Sequence, residues 1–154
     1  MALLGPIKYL TIHCAATPAG RAVTHQQISA WDQAKFNQVS YHWVVEIDGF
    51  AYRTLPDSER GAHVANHNTG NIGICYVGGM SIDMKRPQDT RTEAQIKGLA
   101  GLVRHYRKIA PGIIVRGHRD WYADLDGNGR VDHYEWKKAC PSFDVAEWLR
   151  TLKE

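Results

Sequence analysis

The chain has 154 residues, 44% of them hydrophobic and 23% charged, with a formal net charge of +3. These values suit one soluble domain built around one core. A charge this small, with no basic block interleaved with aromatics, argues against a nucleic-acid partner, and no apolar run reaches the length of a membrane span.

Met1 to Leu10 lacks the charged start, long apolar stretch and small-residue cleavage site of a signal peptide, so synthesis in the cytoplasm without an export signal is expected. The cysteines, Cys14, Cys75 and Cys140, are odd in number and form no disulfide framework, which suits a reducing compartment. A monomer is expected.

Ile7 to Cys14 alternates and reads as a strand, with Leu10, Ile12 and Cys14 on one face and Tyr9, Thr11 and His13 on the other. Thr24 to Gln27 is a capping box that opens a helix, with Ile28, Trp31 and Phe36 as its apolar face. Tyr41 to Ile47 predicts a strand, Asp48-Gly49 a tight turn, and Phe50 to Leu55 the return strand of a hairpin. Asn71 to Val77 is apolar and β-branched and predicts a buried central strand. Thr92 to Gln95 is a second capping box, opening a long helix with Ile96, Leu99, Val103 and Tyr106 inward. Pro111-Gly112 ends it, and Ile113 to Val115 predict a short buried strand leading to His118. Phe143 to Leu152 predicts a terminal helix with Val145, Trp148, Leu149 and Leu152 inward. Strands alternating with helices predict an α/β fold: a single domain, residues 1–154, with a central mixed β-sheet flanked by helices on both faces.

His13 and His118 both stand at strand ends, and Cys140 precedes Pro141, which restrains its backbone. Two imidazoles and one thiolate are the ligand set of a catalytic zinc site, with the fourth position left for water. Such a site points to a hydrolase. Lys138, beside Cys140, brings a cation able to stabilise an oxyanion, and Tyr41 begins a strand from which its hydroxyl reaches the same place. A second metal signal lies in the acidic, Gly-rich insert at 120–136. Asp124, Asp126, Asn128, Gly129 and Glu135 fit the twelve-residue calcium-loop pattern, with the carbonyl of Arg130 and the side chain of Asp132 as further ligands. Four carboxylates so close would repel without a cation, but strand end and loop precede them, so a calcium loop without a full EF-hand is expected.

Other residues carry two readings each. His63 and Asn71 are candidates for binding substrate; a solvated loop histidine and turn chemistry are the plainer accounts, and the latter applies to Asn68 as well. Trp121 and Tyr122 either stack on a sugar or anchor the insert. Cys14 and Cys75, inside apolar strands, read as small buried hydrophobes.

The chain resembles the zinc-dependent N-acetylmuramoyl-L-alanine amidases that include the lysozyme of T-odd coliphages and the animal peptidoglycan recognition proteins. The matching segments are Ile12-His13-Cys14-Ala-Ala-Thr17, Tyr41-His42-Trp43, Gly61-Ala-His63, Asn71-Ile-Gly-Ile74 with Val77-Gly-Gly79, Thr92-Glu-Ala-Gln95, Gly117-His118-Arg119, and Lys138-Ala-Cys140-Pro-Ser-Phe-Asp144. They run through nearly the whole chain in family order, and the last is the most specific. The resemblance implies His13, His118 and Cys140 as zinc ligands, Tyr41 and Lys138 as the catalytic pair, and a central mixed sheet flanked by helices. The departure is the insert, which separates His118 from Lys138 much further than in the phage lysozyme. Ligand geometry after His118 is therefore expected to depend on it.

The expected function is zinc-dependent hydrolysis of the amide between the lactyl group of N-acetylmuramic acid and L-alanine in bacterial peptidoglycan, by a phage or prophage endolysin acting on the wall after holin-type release. The alternatives are a non-catalytic peptidoglycan-binding module and a calcium-responsive interaction protein. The same chemistry would also serve an interbacterial toxin or a cell-wall recycling amidase.

Overall fold

A computed structural model describes residues 2–152. The elements are β1 (Tyr9–Cys14), β2 (Thr17–Pro18), α1 (His25–Phe36), β3 (Trp43–Val45), β4 (Ala51–Arg53), β5 (Asn71–Tyr76), β6 (Gly79–Met80), α2 (Glu93–Ile109), β7 (Ile114–Gly117) and α3 (Val145–Leu149). The main sheet is five-stranded in the order β4-β3-β5-β1-β7. Only the β3–β4 pair is antiparallel, so the sheet is mixed, as the single hairpin signal implied.

Period-two alternation along β1 divides its side chains between two cores. Leu10, Ile12 and Cys14 join Ile72, Ile74, Val45 and the inward faces of α2 and α3. Leu99, Val103 and Tyr106 on α2 are fully buried there. On the opposite face Val44, Cys75 and Val77 pack with Val23 and with Ile28 of α1. Helices thus cover both faces, and every residue of the central strand β5 is buried. Both capping boxes form: Thr24 with Gln27 on α1, and Thr92 with Gln95 on α2.

Several elements are shorter or more exposed than their sequence suggests. Trp31 and Phe36 do not continue the apolar face of α1; they are 48% and 47% exposed, and only Ile28 is buried. Ile28 is the residue of α1 that joins the core on that face, and Phe36 lines the cleft beside it. The strand at Ile114–Gly117 is not buried throughout: β7 ends the sheet, and Ile114 is exposed. The hairpin strands shrink to Trp43–Val45 and Ala51–Arg53, and the terminal helix is the short Val145–Leu149, capped by the Asp144 side chain.

Candidate active site

The parallel register puts His13 at the carboxyl end of β1, level with Cys75 of β5. Its side chain faces away from the α2/α3 core, onto the floor of a cleft of about 1000 Å³. His118 follows directly on β7 in a single 3-10 turn, His118–Trp121. Cys140 arrives from the other side of the insert. Its thiol accepts the Cys14 backbone N–H at 3.2 Å, and its carbonyl accepts the Arg119 N–H at 2.9 Å. Next to it, the Tyr76 hydroxyl donates to the Pro141 carbonyl at 2.6 Å. Long-range contacts to β1, β5 and the His118 turn therefore hold the thiol. To the expected dependence of ligand geometry on the insert, the structure adds these contacts from outside it.

One donor atom each of His13, His118 and Cys140 lies within 4.8 Å of the other two, with His13 Nδ1 3.9 Å from Cys140 Sγ. A tetrahedral zinc with ordinary bond lengths holds nitrogen and sulfur ligands about 3.6 Å apart, so the donor set fits that ion. Burial, then the neighbouring imidazoles His63 and His118, holds His13 well below the usual histidine range. Burial and the Lys138 ammonium bring His118 to about 4. Both rings are thus neutral at physiological pH, as metal ligation requires. Contact with the Cys14 sulfur and burial raise the Cys140 thiol, while the Cys14 N–H works the other way.

Tyr41 and Lys138 line the same cleft. The Tyr41 ring centroid is 5.1 Å from that of His13, and burial keeps its phenol well above the ordinary value, hence protonated. Lys138 itself is exposed on the cleft wall.

His63 lines the cleft but is buried rather than a solvated loop histidine. Its Nδ1 lies 3.0 Å from His13 Nε2, and its Nε2 lies 3.0 Å from the Asn71 carbonyl oxygen. No residue pattern signals this contact, although Gly73, which allows it, is legible in the chain. A Cβ there would come within 2.7 Å of the His63 ring. Asn71 is not placed to bind substrate. It is fully buried; its amide oxygen accepts from Thr11 Oγ1 at 2.8 Å and its amide nitrogen donates to the His67 carbonyl at 2.8 Å. Asn68 is a turn residue, its side-chain oxygen accepting the N–H groups of His63 and Val64. Trp121 ties the start of the insert to the sheet: its indole N–H donates to Thr11 Oγ1 at 2.9 Å and its ring meets Tyr9 edge-on.

In the insert, carboxylate oxygens of Asp124, Asp126 and Glu135 converge within 4.8 Å of one another. Asp132 does not join them: it accepts from the Asn128 amide at 2.6 Å and pairs with the Arg130 side chain at 3.1 Å. Glu135 is buried and accepts the backbone N–H groups of Leu125, Asp126 and Asp132. Asp124 Oδ1 is buried with no hydrogen-bond partner. Only one-turn 3-10 segments, His118–Trp121 and His133–Glu135, flank the loop, so no EF-hand helix pair surrounds it.

An uncharacterised protein of Haemophilus influenzae is 43% identical over 103 residues, which is 67% of this chain and 88% of that protein. The endolysin of Enterobacteria phage K11 is 30% identical over 142 residues, which is 91% of this chain and 83% of that one. Among solved structures, the N-acetylmuramoyl-L-alanine amidase LysC from Clostridium intestinale superposes with a TM-score of 0.71 at 19% identity, covering 97% of this chain and 89% of that one, a likeness of fold. The sequence profile named N-acetylmuramoyl-L-alanine amidase (Amidase_2) matches residues 3–142, from ahead of β1 through the Cys140 turn, and the chain therefore belongs to that family.

Proposed function

We propose that the chain is a zinc-dependent amidase that cleaves the bond between the lactyl group of N-acetylmuramic acid and L-alanine in peptidoglycan, and that it serves as an endolysin. The observation that carries this reading is the convergence of His13, His118 and Cys140 within 4.8 Å of one another in a cleft shared with Tyr41 and Lys138. These three residues would hold the zinc. When bound, the ion supplies Lewis-acid polarisation and an activated water.

The chain's own residues do the rest. Burial leaves His13 and His118 neutral, so each ring offers a free lone pair. Lys138 stands on the cleft wall, and its ammonium acts on charge that develops at the lactyl oxygen as the carbonyl becomes tetrahedral. Tyr41, kept as a phenol, donates a hydrogen bond on the His13 side of the cleft and orients the reacting groups. A wall-binding module without catalysis would need neither Cys140 nor the Tyr41 hydroxyl, and both are present in the cleft. The endolysin role is supported by the likeness to the phage K11 endolysin, and release to the wall by a holin is part of the same proposal.

Calcium in the Asp124–Glu135 loop belongs to the same proposal. The convergence of Asp124, Asp126 and Glu135 and the unpartnered Asp124 oxygen support it. Asn128 and Asp132 would exchange their mutual bond for the ion.

Purified sacculi digested with the protein should release stem peptides with a free L-alanine amino terminus, seen by mass spectrometry, and Cys140→Ser should release none. Cleavage within the glycan or between peptide residues would overturn the assignment.

A further inference from the structure

We infer that His63 is a positioning residue: its hydrogen bond to His13 fixes which nitrogen of the His13 ring faces Cys140 and the metal. The inference rests on the zinc reading and deepens it.

The directions of the hydrogen bonds follow from one atom that has no choice. The Asn71 carbonyl oxygen only accepts, so the His63 nitrogen 3.0 Å from it, Nε2, carries the hydrogen. The two polar contacts of this buried ring are a carbonyl oxygen and another ring nitrogen, with no carboxylate to support a second hydrogen, so its Nδ1 is bare. That atom lies 3.0 Å from His13 Nε2, which must donate to it. His13 in turn is left with its lone pair on Nδ1, the atom 3.9 Å from Cys140 Sγ. One backbone carbonyl thus sets two imidazole tautomers in series and aims the second at the ligand cluster. Metal-bound histidines commonly use their other N–H in this way, which fixes the ring and raises its basicity.

The surroundings hold His63 where the relay needs it. Its backbone N–H donates to Asn68 Oδ1 at 2.9 Å. Gly73 leaves room for the ring, and Gly73 itself is pinned because its N–H donates to His42 Nδ1 at 3.0 Å. The Asn71 side chain is tied to Thr11 on β1, the strand that carries His13. The accepting carbonyl and the ring it serves therefore keep a fixed spacing.

The test reads tautomer and metal affinity rather than turnover. In long-range proton–nitrogen NMR correlations of the metal-free protein, His13 should carry its hydrogen on Nε2 and His63 likewise. His63→Phe keeps the ring's bulk but offers no acceptor; it should mix the His13 tautomers and weaken zinc binding, measured by chelator competition, by about 10–100-fold. His63→Asn places its oxygen where Nδ1 stood and should restore a single His13 tautomer and most of the affinity. A merely structural role would lower the melting temperature in both variants without this split. A wild-type His13 with its hydrogen on Nδ1, undiminished zinc binding in His63→Phe, or an Asn variant no better than Phe would each overturn the inference. Should the wild type bind no zinc, the zinc reading fails, and the tautomer spectra still decide whether His63 orients His13.

Discussion

Lys138 and its neighbour Lys137 both line the cleft, and it is the charge of Lys138 that, after burial, helps depress the His118 ring. Lys138→Ala should therefore keep the fold and zinc content while kcat drops roughly 10²–10³-fold, the scale of losing one oxyanion donor. Normal turnover in Lys138→Ala together with loss in Lys137→Ala would reverse the assignment. Asp32, on the α1 side of the same cleft, gives a second expectation at this scale. Burial raises its carboxyl from 3.8 to about 6. Between these values the native state holds a proton that the unfolded chain has lost, so stability falls as pH rises through that window and stays lower above it. Asp32→Asn removes the penalty. The side chain is only half buried, so after solvent screening the gain at neutral pH should be about 1 kcal/mol, vanishing below about pH 4. Denaturant unfolding at both pH values checks this, and an equal gain at both would refute it.

At the scale of elements, α2 is bound to the sheet by more than its apolar face. Gln95 is fully buried; its carbonyl oxygen closes the capping box on the Thr92 N–H, and its amide donates to Val77 O at 2.9 Å and Val45 O at 3.3 Å. Gln95→Glu keeps the first contact and loses the donor, leaving a buried carboxylate against two carbonyls. It should destabilise by about 2 kcal/mol or more in chemical denaturation, and a change within error would show that the amide bonds contribute nothing. The contrast with α1 is informative. Its cap was as legible as that of α2, but its apolar stripe was misleading, because a cap concerns four consecutive residues whereas the buried face depends on how much sheet remains uncovered.

For the whole molecule the question is what the insert does to the catalytic residues. Cys140 is tied to Cys14 and Arg119, which bypass the loop, whereas Lys138 lies on the exposed stretch between the loop and those ties. Loss of calcium should therefore reach turnover through Lys138 and leave zinc affinity nearly unchanged. With zinc held saturating, melting temperature should rise with free calcium by mass action, and Glu135→Gln should abolish that rise and lower kcat. Calcium binding lost with melting temperature and turnover unchanged would show the loop to be uncoupled from catalysis. Among the described residues no helix is long and apolar enough to cross a membrane.

What the sequence determined by itself was local or carried by residue type. Alternation placed Leu10 and His13 on opposite faces of β1, Thr92 and Gln95 marked the start of α2, and two histidines, a cysteine and a lysine named a chemistry before any distance was known. Only the tertiary structure decided the rest. His13 and His63 are 50 positions apart, and Thr11 and Asn71 are 60 apart. The second contact exists because parallel β1 and β5 lie side by side, and the first because the loop leading into β5 brings His63 against the end of β1, placements set by the topology of the whole sheet. Asn71 offers the same amide whether exposed or buried, and Ile114 is equally apolar at an edge or in a centre; strand order made the first a tie between strands and the second an exposed edge residue. Composition fixes which groups are available, but burial and hydrogen-bond direction, which assign their roles, depend on neighbours that the fold brings together.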